Sequence, residues 1–197
     1  DINPHYRKIT PMIADELAKW GDWNNAIWIW ESVIGSRPYV VAIMSNIARG
    51  YTQIGQNDKA FEVIARAKKL QPKAPSVNSL EVVLLTRTGR EAEGYKQAKE
   101  MIAQGIYDFD MVNAGYILAA RANDWPMALQ SLELLVKGWP ASAVDNWLKM
   151  GNVYASVAAV KDEKKALEAY KAALAASPED QKTATRAKIP SLYQPRL

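Results

Sequence analysis

His5 is the single histidine of the 197-residue chain, and cysteine is absent. A Ser-His-Asp or Cys-His arrangement would have to recruit that terminal residue, and the alternative is an exposed histidine without a role. The same count excludes disulfides and zinc sites built on His or Cys. Acidic residues gather at Glu91-Ala92-Glu93 and Asp162-Glu163, on turns or helix starts where carboxylates serve as solvated caps. No acidic loop has calcium-binding spacing. Gly35-Ser36 and Gly50 are isolated, so no phosphate-cradling loop is expected. These residues predict no catalytic group, no metal and no cofactor in this segment, and the chain reads as a non-enzyme. What remains is chemistry of recognition. Arginine grips carboxylates or phosphates through paired hydrogen bonds, and Arg49, Arg87, Arg121 and Lys19 are spread along the chain among amides and hydroxyls such as Asn46, Gln53, Asn113 and Ser45.

These side chains need elements to hold them. From Val41 to Ala74 small or apolar residues fall at Met44, Ile47, Ala48, Tyr51, Ala60, Ile64 and Ala67, the spacing of two amphipathic helices. Gly55, Asn57 and Asp58 break the first and start the second, and Pro72 closes the unit. The same turn recurs at Gly21, Gly55, Gly89 and Asn123, each 34 residues after the last, and the fifth residue beyond each is Ala26, Ala60, Gly94 and Ala128. Pro38, Pro72 and Pro140 keep the same frame, and Gly105 ends the third unit one position early. Net charge is +4 with pI about 9.1 and the charges are dispersed. Without a run of five or six like charges, no nucleic-acid partner is expected. No apolar stretch approaches the ~20 residues needed to span a bilayer. The chain opens on Asp1 rather than Met, which predicts a segment removed upstream.

The pattern resembles the tetratricopeptide repeat, a helix-turn-helix of 34 residues. The resemblance runs from Arg7 to Asp180, with units at 7–40, 41–74, 75–108, 109–142 and 144–180 after a lead over 1–6, and a capping helix and tail over 181–197. The fifth unit carries the family signature at Trp147, Met150, Gly151 and Tyr154, then Ala166, Tyr170, Ala173 and Pro178. Its turn, Val157 to Lys165, holds about three extra residues. The third has Glu81 at an apolar position, so its first helix is either rotated or shifted by one. The resemblance implies an all-α, right-handed superhelical α-solenoid of about five helix pairs plus a C-terminal helix, placed near Pro178 to Lys188. An extended tail follows Pro190. The small residues at Ala26, Ala60, Gly94, Ala128 and Ala166 would sit where paired helices cross, and stacking of neighbours would supply the stability.

The resemblance also implies a groove lined by the first helix of each unit. Carried over residue by residue, it gives Lys19, Gln53, Arg87 and Arg121 at one position, Asp15 and Arg49 at a second and Asn113 at a third, with Asn46 beside Ser45. The cations would then recognise an acidic peptide or an anionic glycan. The other reading is that they are ordinary helix-end cations favoured by the dipole. The clamp that members binding chaperone tails use for a terminal carboxylate is not matched: the corresponding residues are Pro11, Asp15, Asn46, Ser76 and Leu80, and only the asparagine agrees. Trp20 and Trp28 stand out in a tryptophan-rich first unit as candidate exposed contacts, against loosely covered aromatics at an array end.

The runs SRPYVVAIMSNIARGYTQIGQ and AKKLQPKAPSVNSLEVVLLTRTGREAEGYKQAKEMIAQGIYDFDMVNAGYIL resemble the C-terminal repeat segment of bacterial O-antigen-ligase-like membrane proteins. That implies a protein-interaction module on the periplasmic or extracytoplasmic side of a cell-envelope glycan polymerase or ligase, with the membrane part of the parent chain as a neighbour and the site of catalysis. A free-standing adaptor and a polysaccharide-binding accessory domain are the alternatives.

Overall fold

The computed structural model describes residues 6–37 and 40–197, with side chains from Thr10 onward. His5, Pro38 and the first residues of the lead lie outside the described residues. Eleven α-helices occur in order among the described residues: α1 Tyr6–Lys19, α2 Trp23–Ser36, α3 Val41–Gln53, α4 Asn57–Leu70, α5 Pro75–Arg87, α6 Glu91–Ala103, α7 Phe109–Arg121, α8 Trp125–Gly138, α9 Ala143–Ser156, α10 Glu163–Ala176 and α11 Lys182–Ala187. The chain forms two compact units, Asp1–Met111 and Val112–Leu197.

In the first unit, α1–α2, α3–α4 and α5–α6 are helical hairpins. Consecutive hairpins stack, α2 on α3 and α4 on α5, and the first helices α3 and α5 also touch. The turns explain the period. Gly55 has φ 75°, a left-handed conformation that costs glycine nothing. The Gln56 N–H reaches back to the Tyr51 carbonyl at 2.9 Å, so the last carbonyls of α3 are satisfied as the chain reverses. The helices of a hairpin then cross at Ala26 and Ala60, both fully buried. At Gly94 a Cβ would lie 3.4 Å from the Val82 carbonyl and from Leu85 Cβ. A core runs through the hairpins, with Trp30, Met44, Ile47, Ile64, Val77 and Leu84 among its members.

The irregular third hairpin keeps its frame. Helix α5 spans Pro75–Arg87 where α3 spans Val41–Gln53, a displacement of one repeat, so the frame is not shifted. Glu81 is accommodated by partners: its carboxylate accepts from Lys68 Nζ at 2.5 Å and from the Gln97 amide.

In the second unit α8 packs on α9 and α9 on α10, with Ala128 and Ala166 fully buried. Asn123, at φ 56°, takes the turn position held elsewhere by glycine. Gly151 is required by packing: a Cβ there would stand 2.4 Å from Tyr170 Cε1. The extra residues between α9 and α10 form a 3-10 turn, Ala158–Val160, and Asp162 then caps α10 by accepting from the Lys165 N–H at 3.0 Å.

The capping helix falls where it is expected, as a 3-10 turn, Glu179–Gln181, followed by α11. The tail departs from expectation: Ser191–Arg196 is a 3-10 helix rather than extended chain. Its fold follows from burial. Tyr193 is 3% exposed with its ring 5.1 Å from that of Tyr170, and the Gln194 amide donates to the Arg186 carbonyl at 2.6 Å and the Ile189 carbonyl at 2.9 Å. No helix among the described residues is long and apolar enough to cross a membrane.

Candidate functional site in the first two hairpins

A cavity of about 400 Å³ opens between α1, α2 and α3, lined by Asp15, Ala18, Lys19, Trp23, Trp30, Asn46 and Arg49. Asp15 is held in its wall by two hydrogen bonds. Its Oδ1 accepts from Trp30 Nε1 at 3.2 Å and from Asn46 Nδ2 at 3.2 Å. The three residues come from three helices. The Trp30 ring is 2% exposed and anchors the core, while its N–H, which must find an acceptor when buried, reaches out to the carboxylate. Both bonds fall on Oδ1, and a carboxylate has about four acceptor positions in all.

Donors surround this acceptor. Arg49 is exposed on α3, four residues before Gln53. Lys19 ends α1 and donates to Glu16 Oε1 at 2.6 Å; that hydrogen bond holds the ammonium above its ordinary pKa. Lys19 thus presents a partly neutralised charge, which differs from the row of bare cations that the repeat pattern suggests. A site with one fixed acceptor beside a guanidinium suits a ligand that both donates and accepts, such as peptide backbone with a carboxylate nearby.

Of the expected groove residues, Lys19, Asn46 and Arg49 share this cavity. Gln53 is exposed in the last turn of α3 and is not among its lining residues. Arg87 is exposed at the end of α5 in the first unit, while Asn113, partly buried, and Arg121, exposed, belong to the second. Trp20 and Trp28 are 79% and 70% exposed. The repeat register places Asp15 with Arg49 on the groove side, and sequence reasoning missed its bond to Trp30. The available signal was a buried tryptophan with an obligatory donor, but no spacing rule pairs it with a carboxylate one helix away.

A second cavity, about 460 Å³, lies against α4, α5 and α6. Its polar walls are satisfied among themselves: Lys68 and Gln97 on Glu81, Asn78 Nδ2 on the Pro72 and Ala74 carbonyls at 2.9 Å each, and Arg90 on Glu93 at 2.7 Å. Among the described residues no group of three or more His, Cys, Asp or Glu is placed to hold a metal ion.

No family model matches the chain. An 89-residue stretch is 28% identical to the Protein CTR9 homolog of Arabidopsis thaliana, covering 44% of this chain and 8% of that protein. The chain thus spans under a tenth of the curated relative it matches. Among solved structures, PilW, described as a widely conserved type IV pilus biogenesis factor, superposes with a TM-score of 0.66 at 17% identity, over 97% of this chain and 90% of its own. MamA superposes with a TM-score of 0.65 at 17% identity, over 87% of this chain and 96% of its own. YrrB, described as a TPR protein with an unusual peptide-binding site, superposes at 0.59 and 13% identity, over 91% and 90%. The fold is a tetratricopeptide-repeat solenoid. In a tetratricopeptide-repeat chain each hairpin leaves one face for its neighbour, so the helices around Asp15 are positioned by stacking and the cavity falls where two hairpins meet.

Proposed function

We propose that this chain is a non-catalytic interaction scaffold that holds an extended peptide in the cavity around Asp15. The observation that carries the reading is the carboxylate fixed by Trp30 and Asn46 beside the exposed guanidinium of Arg49. Peptide N–H groups would donate to Asp15, and an acidic side chain or terminal carboxylate would pair with Arg49. Gln53 and Arg87 extend the same recognition along the first helices of the first unit. YrrB, with its peptide-binding site, supports a peptide as the ligand class.

The likeness of residues 36–56 and 67–118 to O-antigen-ligase-like proteins supports placing the scaffold on the extracytoplasmic side of a cell-envelope glycan polymerase or ligase. Two experiments test the readings separately. Titration of the full chain with a peptide library, followed through tryptophan fluorescence from Trp23 and Trp30, is expected to select peptides carrying an acidic residue. Arg49→Glu should weaken the selected peptide at least tenfold, and Asp15→Ala should do the same through the backbone contact, with helicity unchanged. Selection of acidic glycans and no peptides would overturn the ligand class. Reading the gene upstream of Asp1 tests the second point, since about a dozen hydrophobic spans are expected there.

A further inference from the structure

One junction between hairpins departs from the repeat. Where α2, α3 and α4 meet, Ile34, Met44, Ile47 and Val63 are buried members of the core. One repeat later, at the junction of α4, α5 and α6, the same places hold Lys68, Asn78, Glu81 and Gln97. Four apolar core positions have become polar together. The fold does not require this. Its preceding junction solves the same packing with hydrocarbon, and a buried ion pair is often no more stabilising than well-packed apolar residues. Space accompanies the exchange: all four side chains stand in the wall of the cavity of about 460 Å³, where Phe61, Leu85 and Met101 supply apolar surface.

We propose that this cavity binds a free α-amino acid with an apolar side chain. The wall residues hold one another and still keep bonding capacity. Both bonds to Glu81, from Lys68 Nζ at 2.5 Å and from the Gln97 amide, fall on Oε2, and Oε1 keeps its acceptor positions. An ionised carboxylate only accepts. Gln97 therefore turns its NH2 group to Glu81 and to Asn78 Oδ1 at 3.4 Å, and its own oxygen is left for a ligand. Lys68 carries three N–H donors and uses one on Glu81. The Glu81 and Lys68 side chains are 20% and 34% exposed, partly screened from water yet open to the cavity. At the mouth Arg90 is paired with Glu93. Lys96 and Glu100, exposed and one helical turn apart on α6, are in no ion pair among the described residues. Donors and acceptors thus stand open side by side, and the lining charges cancel: Lys68, Arg90 and Lys96 against Glu81, Glu93 and Glu100. A lone cation or anion upsets that balance, whereas a zwitterion keeps it. Its ammonium is matched to Glu81 Oε1, the Gln97 oxygen and Glu100, and its carboxylate to Lys68 and Lys96. Its side chain lies on Phe61, Leu85 and Met101. The cavity falls within the range of about 300–1,000 Å³ typical of small-molecule pockets.

Isothermal titration calorimetry of the full chain with L-leucine, L-methionine and L-phenylalanine tests the site. Saturable one-to-one binding of at least one of them is expected. N-acetylation removes the ammonium and amidation the carboxylate, and each derivative should bind about tenfold more weakly, the loss of a charge-assisted hydrogen bond. Lys68→Ile, Glu81→Ile and Gln97→Val together rebuild the apolar set of the preceding junction and should abolish binding with circular dichroism unchanged. A second variant, Lys96→Ser with Glu100→Ser, changes only exposed side chains and should weaken binding about tenfold. Arg49→Glu should leave the affinity unchanged, because Arg49 lines the other cavity. No binding of any of the three amino acids at millimolar concentration overturns the inference. So do derivatives that bind as well as the parent amino acid, binding that survives the substitutions at the cavity, or binding lost with Arg49→Glu. None of these results depends on the peptide reading of the Asp15 cavity.

Discussion

Tyr51 and Tyr170 show how single side chains tie neighbouring elements together. Each is nearly inaccessible. Burial first, and then the Glu31 carboxylate, pushes the Tyr51 phenol up to about 12; burial first, and then Tyr193, does the same for Tyr170. The neutral phenol is the form the fold accepts, and Tyr170 uses it to donate to Asn152 Oδ1 at 2.8 Å. An unfolded tyrosine ionises near 10. Between that value and about 12 the unfolded chain binds fewer protons than the native one, so stability falls as pH rises. The contribution of both phenols is complete below pH ~10 and is lost through about 12. Urea melts at pH 9 and pH 11 should show this loss. In Tyr51→Phe with Tyr170→Phe, the difference between the two pH values should shrink. An equal difference in the double variant would place the alkaline sensitivity elsewhere.

At the scale of the element, the period was legible because it is set by local chemistry. A turn residue able to adopt a left-handed conformation, then a small residue at the crossing, recurs with the same spacing, and Asp22, Asp124 and Asp162 cap α2, α8 and α10. The third hairpin looked irregular because Glu81 breaks the apolar pattern, yet its frame is intact since Lys68 and Gln97 answer the carboxylate from two other helices. The cavity around Asp15 was half legible for the same reason: repeat register points to Asn46, Arg49 and Lys19, whereas the Trp30–Asp15 bond depends on how three helices close together. The tail was misread because Pro190 and Pro195 suggest extended chain, and only the Tyr170 ring explains why it coils. The Glu81 pair yields an ordered prediction. Removing one member of a partly buried pair costs more than replacing the charge by an apolar residue. Lys68→Met should therefore destabilise the chain by about 1–3 kcal/mol, because it leaves Glu81 with Gln97 alone. Glu81→Leu should lie within about 1 kcal/mol of the parent, since Lys68 can turn to water. Chemical denaturation of both variants measures the order, and the reverse order would show that the carboxylate does more than fill a position.

For the whole molecule, the contrast between its ends is the property that stacking makes important. In a repeat array, stability is close to a sum of each hairpin and its contacts with its neighbours, so a terminal hairpin with one face open unfolds locally at lower cost. The last hairpin escapes this through its cap of Ile189, Tyr193 and Leu197, while the first carries Met12, Ile13 and Trp20 in water. Amide hydrogen exchange should therefore be graded along the chain. In dilute solution α1 should exchange at least tenfold faster than α10, because opening α1 uncovers only its contact with α2 and the Asp15–Asn46 bond, whereas opening α10 must also release Tyr170 from Gly151 and Tyr193. Slow exchange in α1 would mean that the stripe is already covered within one chain.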